Sequence, residues 1–235
     1  MRNRLVLFLL LLAGAVTLPH EMRAQRQHPD LKSGKKTIHS AIIIPVQFSI
    51  TKAGMKGSES MIAESEQVAG ALPGMIAKAL EEKGCKVLEN PFTPAELEKN
   101  EELRYALGDI QKRYDAIQPQ MIRKIKDIEK GRFTLGDEVT KVNPKGAADV
   151  LVFVRGFGYL ATGGKKAFGL LVPGAAVQSD YAFVNISVVD GQNGSVLFYT
   201  GSYTGGNVVK NTESMSKSLV KAFKKFPGTT GSKKG

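Results

Sequence analysis

The chain has 235 residues, 42% of them hydrophobic, which suits one globular domain with appendages and excludes a low-complexity chain. Lys and Arg number 33 against 22 Asp and Glu, a formal net charge of +11 that draws a protein toward anionic surfaces. Cys85 is the single cysteine, so no intrachain disulfide forms, and His20, His28 and His39 assemble neither a metal cluster nor a Ser-His-Asp arrangement.

Arg2 and Arg4 precede an apolar run from Leu5 to Val16 that ends at Leu18-Pro19-His20-Glu21. A spanning helix needs ~20 apolar residues, so this run reads as a cleavable signal over residues 1–24. The cut falls at Ala24|Gln25, with a cut after Ala15 as the alternative. Cleavage removes Arg2, Arg4, Arg23 and Glu21 and lowers the net charge from +11 to +9. The mature chain then has no transmembrane helix and is periplasmic or secreted. Residues 25–40 are polar, basic and aperiodic, the pattern of a flexible leader. An α/β domain is expected over residues 41–227, followed by a disordered tail over 228–235.

Ile42, Ile44, Val46 and Phe48 alternate as the first strand, made irregular by Pro45, which donates no ladder bond. Thr51 to Ser60 reads as a loop. Met61 to Lys83 is helical, with Leu72, Ile76, Ala79 and Leu80 on one stripe, and Pro73 either kinks or restarts it. Gly84 supplies the left-handed stop. A short strand follows over Lys86–Leu88, with Cys85 beside it as a buried thiol. Thr93-Pro94-Ala95-Glu96 is a helix start, with a capping hydroxyl, a proline at the first position and a glutamate three residues after the cap. That helix runs to about Ile117, and Pro119 begins another that ends before Gly131. The stretch of about 93–131 is therefore a solvated helical insert with charges of both signs. Phe133 to Val142 is a short helix or turn.

Val150 to Val154 is apolar on both strand faces, as expected of a central strand. After Arg155 the chain is expected to leave the sheet for a glycine-rich apolar loop over 156–179. Tyr181 to Val189 and Ser195 to Tyr203 form a hairpin, turned by Asn193-Gly194 through positive backbone angles. Asn211 to Phe226 is an amphipathic helix built on Met215, Leu219, Val220 and Phe223. The predicted fold is α/β, a single three-layer-like domain with a mixed sheet flanked by helices, a helical insert and a C-terminal β-hairpin plus helix.

No catalytic, cofactor or metal site emerges. Gly156-x-Gly158-x-x-Ala161 has the spacing of a dinucleotide fingerprint, but Thr162-Gly163-Gly164 breaks the helix that motif requires. Asp149, Asp180 and Asp190 flank strands or sit in turns, and Asp190 to Gly194 lacks the alternating ligands of a calcium loop. Function is placed instead in the long loop. Phe168, Leu170, Leu171 and Val172 would bury against a partner while Lys165 and Lys166 orient them at an acidic surface.

The proline-interrupted first strand, Gly146-Ala147-Ala148-Asp149-Val150-Leu151-Val152, and the hairpin Val188 to Phe198 carry a resemblance over most of residues 41–225. They are similar to the periplasmic α/β domain of CsgG-like curli-secretion-channel proteins, penicillin-binding-protein activator lipoproteins and the amino-terminal domain of TolB. The resemblance implies a non-enzymatic bacterial envelope protein that binds other proteins or oligomerises. No lipidation cysteine follows the apolar run here, unlike many such lipoproteins. The expected role is thus an exported protein-binding or assembly module, with an envelope protein or a second copy as partner and no nucleic acid. The rivals are a basic binder of anionic wall polymer or lipid headgroups, and a hydrolase with its acids in the helical insert.

Overall fold

The computed structural model describes residues 25–54, 56–163 and 179–228. Its centre is β6 (Val150–Ala161), whose first half is apolar on both faces and fully covered. On one side β6 pairs antiparallel with β7 (Tyr181–Asp190), which pairs antiparallel with β8 (Val196–Gly205). On the other side it has successive parallel partners. β2 (Ser40–Ile43) lies along Val150–Val152, and β3 (Gln47–Gly54) lies along Arg155–Ala161. Ile44 to Val46 separates them, the irregularity that Pro45 predicts, although Ile44 N still donates to Val152 O at 3.0 Å.

β5 (Lys86–Val87) pairs outside β2, β4 (Gly57–Ser60) outside β3, and β1 (Arg26–Gln27) outside β8, completing an 8-stranded mixed sheet. Two expectations change at these edges. Thr51 to Ser60 is not a loop but most of the β3–β4 hairpin, polar in sequence because β4 is exposed throughout. Residues 25–40 are not a flexible leader. His28 N donates to Leu197 O, the short helix α1 (Pro29–Lys32) follows, and Leu31 and Ile38 are buried in the core.

Helices cover both faces of the sheet. α2 (Ile62–Glu81) and α5 (Thr212–Ala222) pack on one face, over Val152, Val154, Val184, Ile186 and Phe198. α3 (Pro94–Lys99), α4 (Glu101–Arg123) and the 3-10 turns Ile125–Lys130 and Asp137–Val142 cover the other, over Leu151, Phe153, Val189 and Tyr199. α2 passes through Pro73 unbroken, because buried Val68, Leu72, Ile76, Ala79 and Leu80 anchor it on both sides of the proline. Likewise, α4 continues through Pro119 to Arg123 instead of restarting there. The break comes earlier, at Asn100, which leaves helical geometry (φ −125°, ψ 88°) and accepts from Leu103 N at 2.9 Å through Oδ1. Thr93 caps α3 as expected, its hydroxyl accepting from Glu96 N at 3.3 Å.

β6 does not leave the sheet after Arg155 but continues to Ala161. The two glycines that suggested a departure make room on the α2 face. A Cβ on Gly158 would lie 3.1 Å from Ile50 Cγ1, and one on Gly156 would overlap the Phe48 ring. The fingerprint spacing therefore reflects strand packing, with no phosphate-cradling turn. In the β7–β8 connection only Gly194 has a positive φ, +73°, so the two-residue Asn-Gly turn does not form. Gly194 N donates to Asp190 O, and Asp190 Oδ1 accepts from Gln192 N and Asn193 N.

Candidate functional site

α4 covers the sheet only as far as the row containing Phe153. Tyr114 stacks on Phe153 at 4.6 Å between centroids, and its hydroxyl meets Ser187 Oγ at 2.8 Å. Burial pushes the Tyr114 phenol up to about 12, so it is a neutral structural group. The next row closes the covered region with polar groups. Arg155 Nε donates to Asp115 Oδ1 at 2.7 Å, its guanidinium lies 5.1 Å from the Tyr114 ring centre, and Nη1 donates to Val154 O. Beside it, Tyr199 OH donates to Asn185 Oδ1 at 2.6 Å.

Beyond this polar row the same face carries aromatic rings. Phe157 and Tyr159 project from β6, Tyr181 and Phe183 from β7, and Tyr203 from β8, paired by register as Phe157↔Phe183↔Tyr203 and Tyr159↔Tyr181. Tyr159, Tyr181 and Tyr203 stack in sequence across the strands, with centroids 5.5 and 6.0 Å apart. Phe157 contacts Tyr181 and Phe183 at 6.1 and 6.0 Å and is still 40% exposed. These rings form a cohesive, partly uncovered apolar face, of the kind that marks interaction surfaces. On the opposite face, an open groove of about 420 Å³ runs between β3 and the start of α2, lined by Val46, Phe48, Ile50, Ile62 and Ala69.

The residues proposed from the sequence as partner-binding, Lys165, Lys166, Phe168, Leu170, Leu171 and Val172, lie outside the described residues. The aromatic row escaped sequence reading because β6 was ended at Gly156. The alternation of Phe157 with Tyr159, and of Tyr181 with Phe183, was the available signal.

The acids considered for catalysis are each engaged in the fold. Asp149 Oδ2 accepts from His39 N and Ser40 N, Asp180 Oδ1 from Ala161 N, and Asp190 pairs with Lys36 at 2.6 Å. In the helical region Glu96, Glu101 and Asp109 are exposed and pair with Lys99, Arg104 and Lys112 one turn on. Among the described residues no group of three or more His, Cys, Asp and Glu is placed to hold a metal. Burial first, and the Asp149 charge second, push the Cys85 thiol up to about 11, which makes it a poor nucleophile.

The geometry defines a helix-flanked mixed-sheet α/β domain with an aromatic contact face. No protein-family model matches the chain, and no curated protein does. Matching solved structures include two PelC dodecamers from Paraburkholderia phytofirmans, at 10% and 9% identity with TM-scores of 0.37 and 0.35; each match covers 86% of this chain and 96% of the other. Lipoprotein GNA1162 from Neisseria meningitidis matches at 12% identity and a TM-score of 0.32, covering 77% of this chain and 92% of that one. Likeness at this level assigns the chain to no family.

Proposed function

We propose that the chain is an exported, non-catalytic envelope protein that works as a protein-binding or assembly module, with the aromatic face of β6, β7 and β8 as its contact surface. The observation that carries the reading is Phe157, exposed at the rim of a row of mutually packed rings where an inserted apolar side chain would complete the packing. Export is the reading of the basic and apolar residues before Gln25. The partner is a protein surface with apolar side chains, on a second copy or on another envelope protein.

The test compares the wild type with Phe157→Ser by light scattering and by pull-down from the native envelope fraction. Association present in the wild type and lost in the variant, at an unchanged denaturation midpoint, is the expected result. Equal association in both removes the aromatic face from the function. The stretch containing Phe168, Leu170, Leu171 and Val172, with Lys165 and Lys166, stays in the proposal as a second contributor. Replacing Leu170 and Leu171 by Ser is expected to weaken the same association while thermal stability stays nearly unchanged. A large loss of stability with association intact assigns that stretch to the core.

A further inference from the structure

α5 buries Met215, Leu219 and Ala222 against the sheet, and Phe223 just beyond its end is buried with them. Its outer side is different. Lys217, Lys221, Lys224 and Lys225 follow the i, i+4, i+7, i+8 spacing that puts side chains on one stripe, and Lys210 precedes them. All five are exposed. Glu213 pairs with Lys217 at 2.7 Å, but among the described residues Lys210, Lys221, Lys224 and Lys225 have no carboxylate partner. Lys83, at the end of α2, donates through Nζ to Lys224 O at 3.2 Å and brings a sixth ammonium group to the stripe. Glu81 and Glu82 beside it make no ion pair within the described residues.

A second observation points to the same place. Gln25 is bound to this stripe: its Nε2 donates to Lys221 O at 3.0 Å, and its Oε1 accepts from Lys225 N at 2.5 Å. Gln27 Nε2 also donates to Lys225 O. The chain therefore enters the described fold at the lysine stripe. Residues 17–24 separate Gln25 from the apolar run Leu5–Val16, a span of at most ~30 Å when extended. A segment suited to lipid and an unneutralised cationic stripe thus lie within one short tether of each other.

We propose that the stripe of Lys217, Lys221, Lys224 and Lys225 is a docking surface for a bilayer rich in anionic lipid headgroups. The apolar positions of the helix are consumed by the core, so the attraction is electrostatic and sits at the headgroup level without insertion. The stripe is on the opposite side of the sheet from the aromatic face, so a docked domain keeps that face turned away from the lipid.

The experiment is co-sedimentation of the purified chain with phosphatidylcholine vesicles, with and without about a third phosphatidylglycerol, at low and high salt. Binding is expected only with the anionic lipid and is lost at high salt, because the Debye length contracts to about 3 Å at 1 M. Each lysine near such a surface contributes about a fivefold factor, so the quadruple Lys→Gln variant at 217, 221, 224 and 225 is expected to bind at least tenfold more weakly. Lys→Gln at exposed Lys99, Lys112, Lys126 and Lys130 removes the same charge from the other face and is expected to leave binding nearly unchanged. Equal losses in the two variants would reduce the effect to net charge and overturn the proposal. So would equal binding to both vesicle types, or binding to soluble polyphosphate or an acidic polysaccharide with none to vesicles. Phe157→Ser separates this surface from the aromatic one: vesicle binding is expected to persist in it whether or not protein association is lost.

Discussion

Arg155 shows how a charged side chain is held at the boundary between core and surface. Its side chain is 10% exposed, and Nη2 is buried without a hydrogen-bond partner among the described residues, so Asp115 is its main electrostatic compensation. Asp115→Ala strands that charge and is expected to cost about 2 kcal/mol, less than for a fully buried pair because Asp115 itself is half exposed. Adding Arg155→Met should recover most of the loss, as read from denaturant midpoints. Asp149 acts differently. Burial raises its carboxyl pKa, but donation from His39 N, Ser40 N and the Ser40 hydroxyl outweighs that and holds it below the ordinary value. A depressed folded pKa contributes stability above the unfolded value of ~3.9 and loses it as pH falls toward the folded one. Asp149→Asn is therefore expected to flatten the acid limb of the Tm–pH curve below about pH 4, whereas parallel limbs would assign the acid sensitivity elsewhere.

At the scale of elements, strand alternation and capping chemistry were legible and strand ends were not. The buried stripe of α2, the Thr93 cap, the disruption at Pro45 and the apolar first half of β6 all depend on residues close in sequence, and each forms as those residues dictate. The end of β6 does not. Whether Gly156 stops a strand or fits within one depends on Phe48, a residue of β3 that sequence spacing cannot place against it. Asn100 and Pro119 exchanged roles for a similar reason: anchoring by Tyr114 and Met121 carries α4 past its proline, while nothing buried spans Asn100. Gly156→Ala is expected to destabilise by about 1–3 kcal/mol through overlap with the Phe48 ring. Combined with Phe48→Leu, the loss should be smaller than the sum of the two, a coupling that a double-mutant cycle in urea measures. Additive losses would mean the glycine serves only backbone geometry.

At the scale of the whole molecule, the sheet separates two surfaces of different character, aromatic beyond α4 and cationic along α5. The same sheet also constrains the order in which the chain can assemble. Ala41 pairs with Val150, Gln47 with Arg155 and Arg26 with Tyr199, so the earliest strands have no lateral neighbour until the last third of the polypeptide exists. Pairings this distant in sequence make folding slow and late, since the entropy of closing each loop is lost before any contact compensates for it. A fragment ending at Ala148 should lack cooperative unfolding by circular dichroism, despite containing α2, α3 and α4; a sharp transition would show that the helices fold on their own. A chain with this connectivity stays open and threadable through most of its synthesis, and acquires its shape only when β6, β7 and β8 arrive together.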